Sequence, residues 1–181
     1  MVYHITHKSA SYLYCQNCAE CALALPVPSF QDVPANVWYA QAAQEAVSNG
    51  WMRARDGNFL PAGTVTANDV TAALQALGIN VPSLTTLPSN GSTILTKRQF
   101  LEILTEAFQP QLQAILKTKS QAEYTRVWNV IPAFVSHHNT VRMSILAGWI
   151  AMPQSTFHGA APLTRAEMAQ LLMSVLATIQ Q

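Results

Sequence analysis

The feature that most constrains this chain is that it repeats itself in one register. Gly50-Trp51 recurs as Gly148-Trp149, an offset of 98 residues (148 − 50), and Phe59/Phe157 and Thr66/Thr164 share that offset. Sliding the chain by it aligns residues 33–77 with 131–175 without a gap. Pro34, Ala35, Val37, Gly50, Trp51, Phe59, Ala62, Thr66 and Leu74 then meet identical residues. Val33/Ile131, Val47/Ile145, Met52/Ile150 and Val65/Leu163 match in apolar character. Self-similarity at a fixed period marks an architecture of like units packed on one another.

Each unit reads as helix–loop–helix. A first helix is expected over roughly Val37–Asn49, and again over Val135–Ala147. Gly50 and Gly148 end these helices, because glycine takes the left-handed conformation at little cost. Asp56-Gly57 signals a turn in the loop that follows, and Phe59 and Phe157 are expected to plug the core. The second helix starts at Thr66 or Thr164. A third start of the same kind, Thr96, lies between them.

All three starts have the form Thr-x-x-[Asp/Gln/Glu]: Thr66–Asp69, Thr96–Gln99 and Thr164–Glu167. The hydroxyl can accept the N3 amide while the N3 side chain returns to the cap, with Asp the shortest and poorest for that return. Apolar residues spaced by three and four follow each start and bury one stripe. The middle unit lacks a Gly-Trp. Residues 78–94 read as loop, and 110–130 are extra, with helical character. The expectation is an all-α chain divided into a tail over 1–27, repeat 1 over 28–79, a degenerate middle repeat with its insertion over 80–127, and repeat 3 over 128–181.

Composition narrows the function. Net charge is +1 and the basic residues are scattered, so nothing predicts an electrostatic grip on nucleic acid. Half the residues are apolar, yet no apolar run nears the roughly 18–20 residues of a membrane span. Cys15, Cys18 and Cys21 share one stretch, for which three readings stay open: a thiolate metal site using His4 or His7, a degenerate export signal cut after Ala24, or a plain tail.

These residues resemble the S-layer homology family. "FQDVPANVWYAQAAQEAVSNGWM" and "DGNFLPAGTVTANDV" carry the front half of its pattern through Phe30, Asp32, Val33, Trp38, Tyr39, Gly50, Asp56, Gly57, Phe59 and Pro61. "AGWIAMPQSTFHGAAPLTRAEMAQLL" carries the back half, including Thr164-Arg165-Ala166-Glu167. The resemblance implies a compact pseudo-three-fold helical bundle. It also implies a non-catalytic module at the bacterial envelope, outside the cytoplasm, that binds wall-linked polysaccharide in grooves between copies. Arg165 would then be an anion-binding residue, Lys97 its counterpart in the middle copy, and Trp38 a sugar-stacking ring. The counterparts depart from the pattern elsewhere: Ala67 stands in the place of Arg165, Ser136 in that of Trp38, and Trp128-Asn129-Val130 replaces Phe30-x-Asp32.

Plainer readings stand beside these. Capping alone explains the three threonines, Trp51 and Trp149 read as core, and Glu102 and Glu106 read as a solvated helix side. Arg165 reads most plainly as a solvated residue in a first helical turn, but it works slightly against the helix dipole there, which argues for a functional role. His137-His138 are adjacent and point apart, so no metal is expected there. No catalytic motif occurs, and no cofactor is expected. The alternative to a wall-binding module is a helical scaffold of the same fold that binds a protein partner.

Overall fold

The computed structural model describes residues 29–131, 138–151 and 158–180. Among them the chain forms seven α-helices and no strand: α1 (Ala40–Ser48), α2 (Ala67–Ala76), α3 (Lys97–Ala107), α4 (Gln109–Lys117), α5 (Gln121–Val130), α6 (His138–Leu146) and α7 (Arg165–Ile179). The readings made for Cys15, Cys18, Cys21, His137 and Phe157 fall outside the described residues.

The expected helix starts form as capping boxes. Thr66, Thr96 and Thr164 each accept the N3 amide, and Asp69, Gln99 and Glu167 each take the cap amide in return. The short Asp69 makes its return bond at 2.9 Å, so side-chain length is no obstacle there. A fourth box, Ser120 with Glu123, opens α5. The Ser-x-x-Glu pattern carried that signal in the sequence. Each such cap is worth about 1 kcal/mol. Gly50 (φ +75°) and Gly148 (φ +79°) end α1 and α6 in the left-handed conformation. α1 starts later than expected, because Pro34 to Tyr39 form successive turns, closed by the Val37 amide on Pro34 and the Ala40 amide on Val37.

The residue before each threonine cap is apolar, and so is the fourth residue of each helix. Val65 and Val70, Leu95 and Phe100, and Leu163 and Met168 are all fully buried in one core, the placement of a hydrophobic staple. Val65, Leu95 and Leu163 also bond one another through their backbones. The Val65 amide donates to Leu163, Leu163 to Leu95, and Leu95 to Val65, at 3.0, 2.8 and 2.9 Å. The three capped helices therefore start from one closed ring.

Around the ring each helix start is completed by a loop from another unit. The first two amides of α2 donate to the carbonyls of Thr93 and Gly91, those of α3 to Ala161 and Gly159, and those of α7 to Gly63 and Pro61. A helix leaves its first amides without intrahelical partners, and here the protein supplies them. The outer helices follow the same cycle. α1 packs on α7 and α6 on α3, while α2 meets a single 3₁₀ turn, Val81–Ser83, where the middle unit lacks a first helix. Leu84 and Leu87 pack on the core beside that turn.

Glu106 holds this substitute segment in place. Its carboxylate accepts the amides and hydroxyls of Thr85 and Thr86 at 2.5–2.9 Å, so it is not simply a solvated residue. Burial would raise its pKa, but the bonds from Thr86 and Thr85 outweigh that and hold it at about 2, against an ordinary 4.5. A depressed carboxylate pKa contributes stability that is present above the ordinary value and lost as pH falls through the folded one. Wild-type stability should therefore fall between pH 4.5 and about 2, and Glu106→Gln should flatten that slope. The site is largely solvated, so the effect at neutral pH should be on the order of 1 kcal/mol. Urea titrations across that pH range check both.

Candidate functional site

The three residues singled out by the sequence occupy three different settings. Arg165, first in α7, is 6% exposed. Its Nε donates to the Phe59 carbonyl and a terminal nitrogen to the Arg53 carbonyl, both at 2.7 Å. Its guanidinium lies over the Phe59 ring, 5.0 Å from the centroid. The loop it grips is itself clamped. Asp32 accepts the amides of Phe59 and Leu60 at 2.8 and 2.6 Å, and Phe30 packs on Phe59 at 5.6 Å. Leu60 has φ +58°, a conformation uncommon for a side-chain-bearing residue, and Asp32 helps hold it. So Phe30, Asp32, Phe59 and Arg165 form one clasp between the first and last repeats. Burial lowers the Arg165 pKa, with Asp69 acting against it.

Lys97, first in α3, lies at the next junction of the ring. Its Nζ is 2.5 Å from Oε1 of Glu167, with both side chains 26% exposed. Burial pushes the Glu167 pKa up, but the bond from Lys97 and those from Thr164 bring it below the ordinary value. The first residue of one capped helix thus meets the third residue of another. Lys97 faces Glu167, and Arg165 is within electrostatic reach of Asp69. By the same step round the ring, Ala67 corresponds to Gln99, and neither is charged. Trp38 stands apart, in the turns before α1. It is 64% exposed and touches Tyr39 edge-on at 5.2 Å.

A cleft of about 590 Å³ lies between residues 50–55 and the outer side of α2. Trp51, Arg53 and Arg55 form one wall, Asn68, Asp69 and Gln75 the other, and Arg165 also lines it. The wall is shaped by the tight turn at Asp56 (φ 50°) and Gly57 (φ 76°), closed by reciprocal bonds between Arg55 and Asn58 at 2.9 Å. Two positive φ values in succession suit an Asp-Gly hairpin turn. Three guanidinium groups against one carboxylate give the cleft a positive balance, and amides and an indole add neutral contacts. A mixture of this kind suits an acidic, hydroxyl-rich ligand.

Of the predicted site residues, only Arg165 lines this cleft. Sequence reasoning missed Arg53 and Arg55, although their spacing of two in an extended segment was a usable signal. Trp51 packs against the core as expected, but it is only half-buried and also lines the cleft; Trp149 is buried as expected. Among the described residues no cluster of His, Cys, Asp or Glu is arranged to hold a metal ion, and no helix is long and apolar enough to cross a membrane. Comparison with protein-family models and with curated protein sequences returns no match.

Proposed function

We propose that this chain is an S-layer-homology-like, non-catalytic module that resides at the bacterial envelope and binds wall-linked polysaccharide. The observation that carries this reading is the cleft in which Trp51, Arg53 and Arg55 face Asn68, Asp69 and Gln75. Arg pairs with carboxylates through two hydrogen bonds, the amides read hydroxyls, and the indole offers an apolar face. The ring of three capped helices supports the pseudo-three-fold arrangement that the resemblance implies. In this reading Arg165 shapes the cleft more than it grips the ligand, because two of its donors are committed to backbone carbonyls.

Purified sacculi test it. The intact protein should sediment with them, and the double variant Arg53→Ala/Arg55→Ala should bind about tenfold more weakly or worse, as expected when charge-assisted contacts are removed. Both arginines are exposed, so the variant should keep its fold. An intact protein that stays in the supernatant would sink the reading. A protein-binding scaffold is the second reading, favoured by the exposed Trp38. It predicts empty sacculi and a defined protein partner that is lost on Trp38→Ala.

A further inference from the structure

A second prepared surface lies on α5, which runs from the insertion into the start of the last repeat. Gln121, Tyr124, Thr125, Trp128 and Asn129 line a depression of about 380 Å³. Their spacing of three, four, seven and eight places them on one side of α5. None of the five is charged. Tyr124 and Trp128 lie 5.6 Å apart at 54°, and Trp128 is 39% exposed although it is one of the chain's largest apolar side chains.

Both rings are fixed from behind. The Tyr124 hydroxyl donates to the Leu116 carbonyl at 3.1 Å. Arg142, itself 6% exposed, lies over the Trp128 ring at 4.6 Å and donates to the carbonyls of Ile131 and Trp128. A buried arginine thus holds in place a tryptophan that reaches solvent. Rings already ordered lose little freedom when a ligand arrives.

We propose that this side of α5 is a binding site for a neutral pyranose saccharide. Such a sugar presents a C–H face that packs on an aromatic ring and a rim of hydroxyls that both donate and accept. The side-chain amides of Gln121 and Asn129 match that rim in both senses; the Thr125 hydroxyl, which donates to the Gln121 carbonyl at 3.0 Å, can still accept, and the aromatic pair supplies the apolar platform. The lack of charge selects against the acidic ligand that suits the Arg53–Arg55 cleft. The site does not rest on the wall-binding reading: that one is tested on sacculi, this one with small soluble sugars.

The test is calorimetric titration of the full chain with cellotriose and with chitotriose, both neutral. At least one should bind with a Kd of about 0.1–1 mM. Asn129→Ala and Gln121→Ala should each weaken it several-fold. Trp128→Ala should weaken it about tenfold or more, Trp128→Phe should weaken it less, and Trp38→Ala should leave it unchanged. Trp128→Ala also removes the ring under Arg142, so its melting curve is read alongside. Gln121 and Asn129 are exposed, which keeps the test sound if that variant unfolds. The proposal is overturned if neither sugar binds up to about 10 mM, if binding ignores Asn129→Ala and Gln121→Ala, or if it is lost with Arg53→Ala or Trp38→Ala instead.

Discussion

Arg165→Ala is expected to destabilise the protein by about 3 kcal/mol and to lower its melting temperature by roughly 6–12 °C. The substitution strips a guanidinium from a site that is 6% exposed and leaves the Phe59 carbonyl, and largely the Arg53 carbonyl, without a donor. Those two acceptors lie in the first repeat, so the loss loosens the junction between first and last repeats, not only α7. Arg165→Lys should recover only part of the deficit, because a single ammonium cannot reproduce the fork that spans both carbonyls. Urea denaturation of the three proteins checks the order. A native-like Arg165→Ala would show that the clasp contributes little. The result also governs any binding experiment: weaker binding by Arg165→Ala reports folding before it reports ligand contact, whereas Arg53 and Arg55 are exposed and report the cleft.

Phe59→Ala should be costlier still, about 3–5 kcal/mol. The ring is fully buried, meets Phe30 at 5.6 Å and lies beneath the Arg165 guanidinium. Removing it opens a cavity whose walls are pinned by the Asp32 clamp, so little collapse can fill it. The two substitutions should not add. Combined with Arg165→Ala, the loss should fall short of the sum by about 0.5–2 kcal/mol, since each variant already forfeits the contact they share. Additivity within error would separate the arginine from the aromatic and divide the clasp into unrelated parts.

Local chemistry was legible in the sequence, and long-range partners were not. The three threonine caps, the left-handed glycines at 50 and 148, the Asp56-Gly57 turn and the buried Phe59 each follow from residues within a few positions of one another. Arg165 could be marked as costly where it stands, but its acceptors are backbone carbonyls more than a hundred residues away, and a carbonyl has no residue type to betray it. Glu106 looked solvated for a similar reason: Thr85 and Thr86 lie about twenty residues earlier, in a stretch that read as plain loop. Trp38 and Tyr39 fall inside the first helix expected over Val37–Asn49, and the turns after Pro34 exclude them. The cleft was invisible as a unit, because it needs α2, residues 50–55 and the start of α7 at once, although Arg53 and Arg55 were there to be noticed.

The closed ring of Val65, Leu95 and Leu163 bears on how the chain reaches its native state. In an open solenoid each repeat leans only on its neighbours, so stability accumulates piece by piece and folding can spread from any point. Here the last link of the cycle joins residues 65 and 163, and the entropy of closing so long a loop must be met before that link forms. The first repeat cannot complete its own loop until α7 has arrived to hold Phe59 and Arg53. During synthesis, therefore, the early repeats wait, partly made, for the last. Acquisition of the native state should be slow for a helical protein and close to all-or-none.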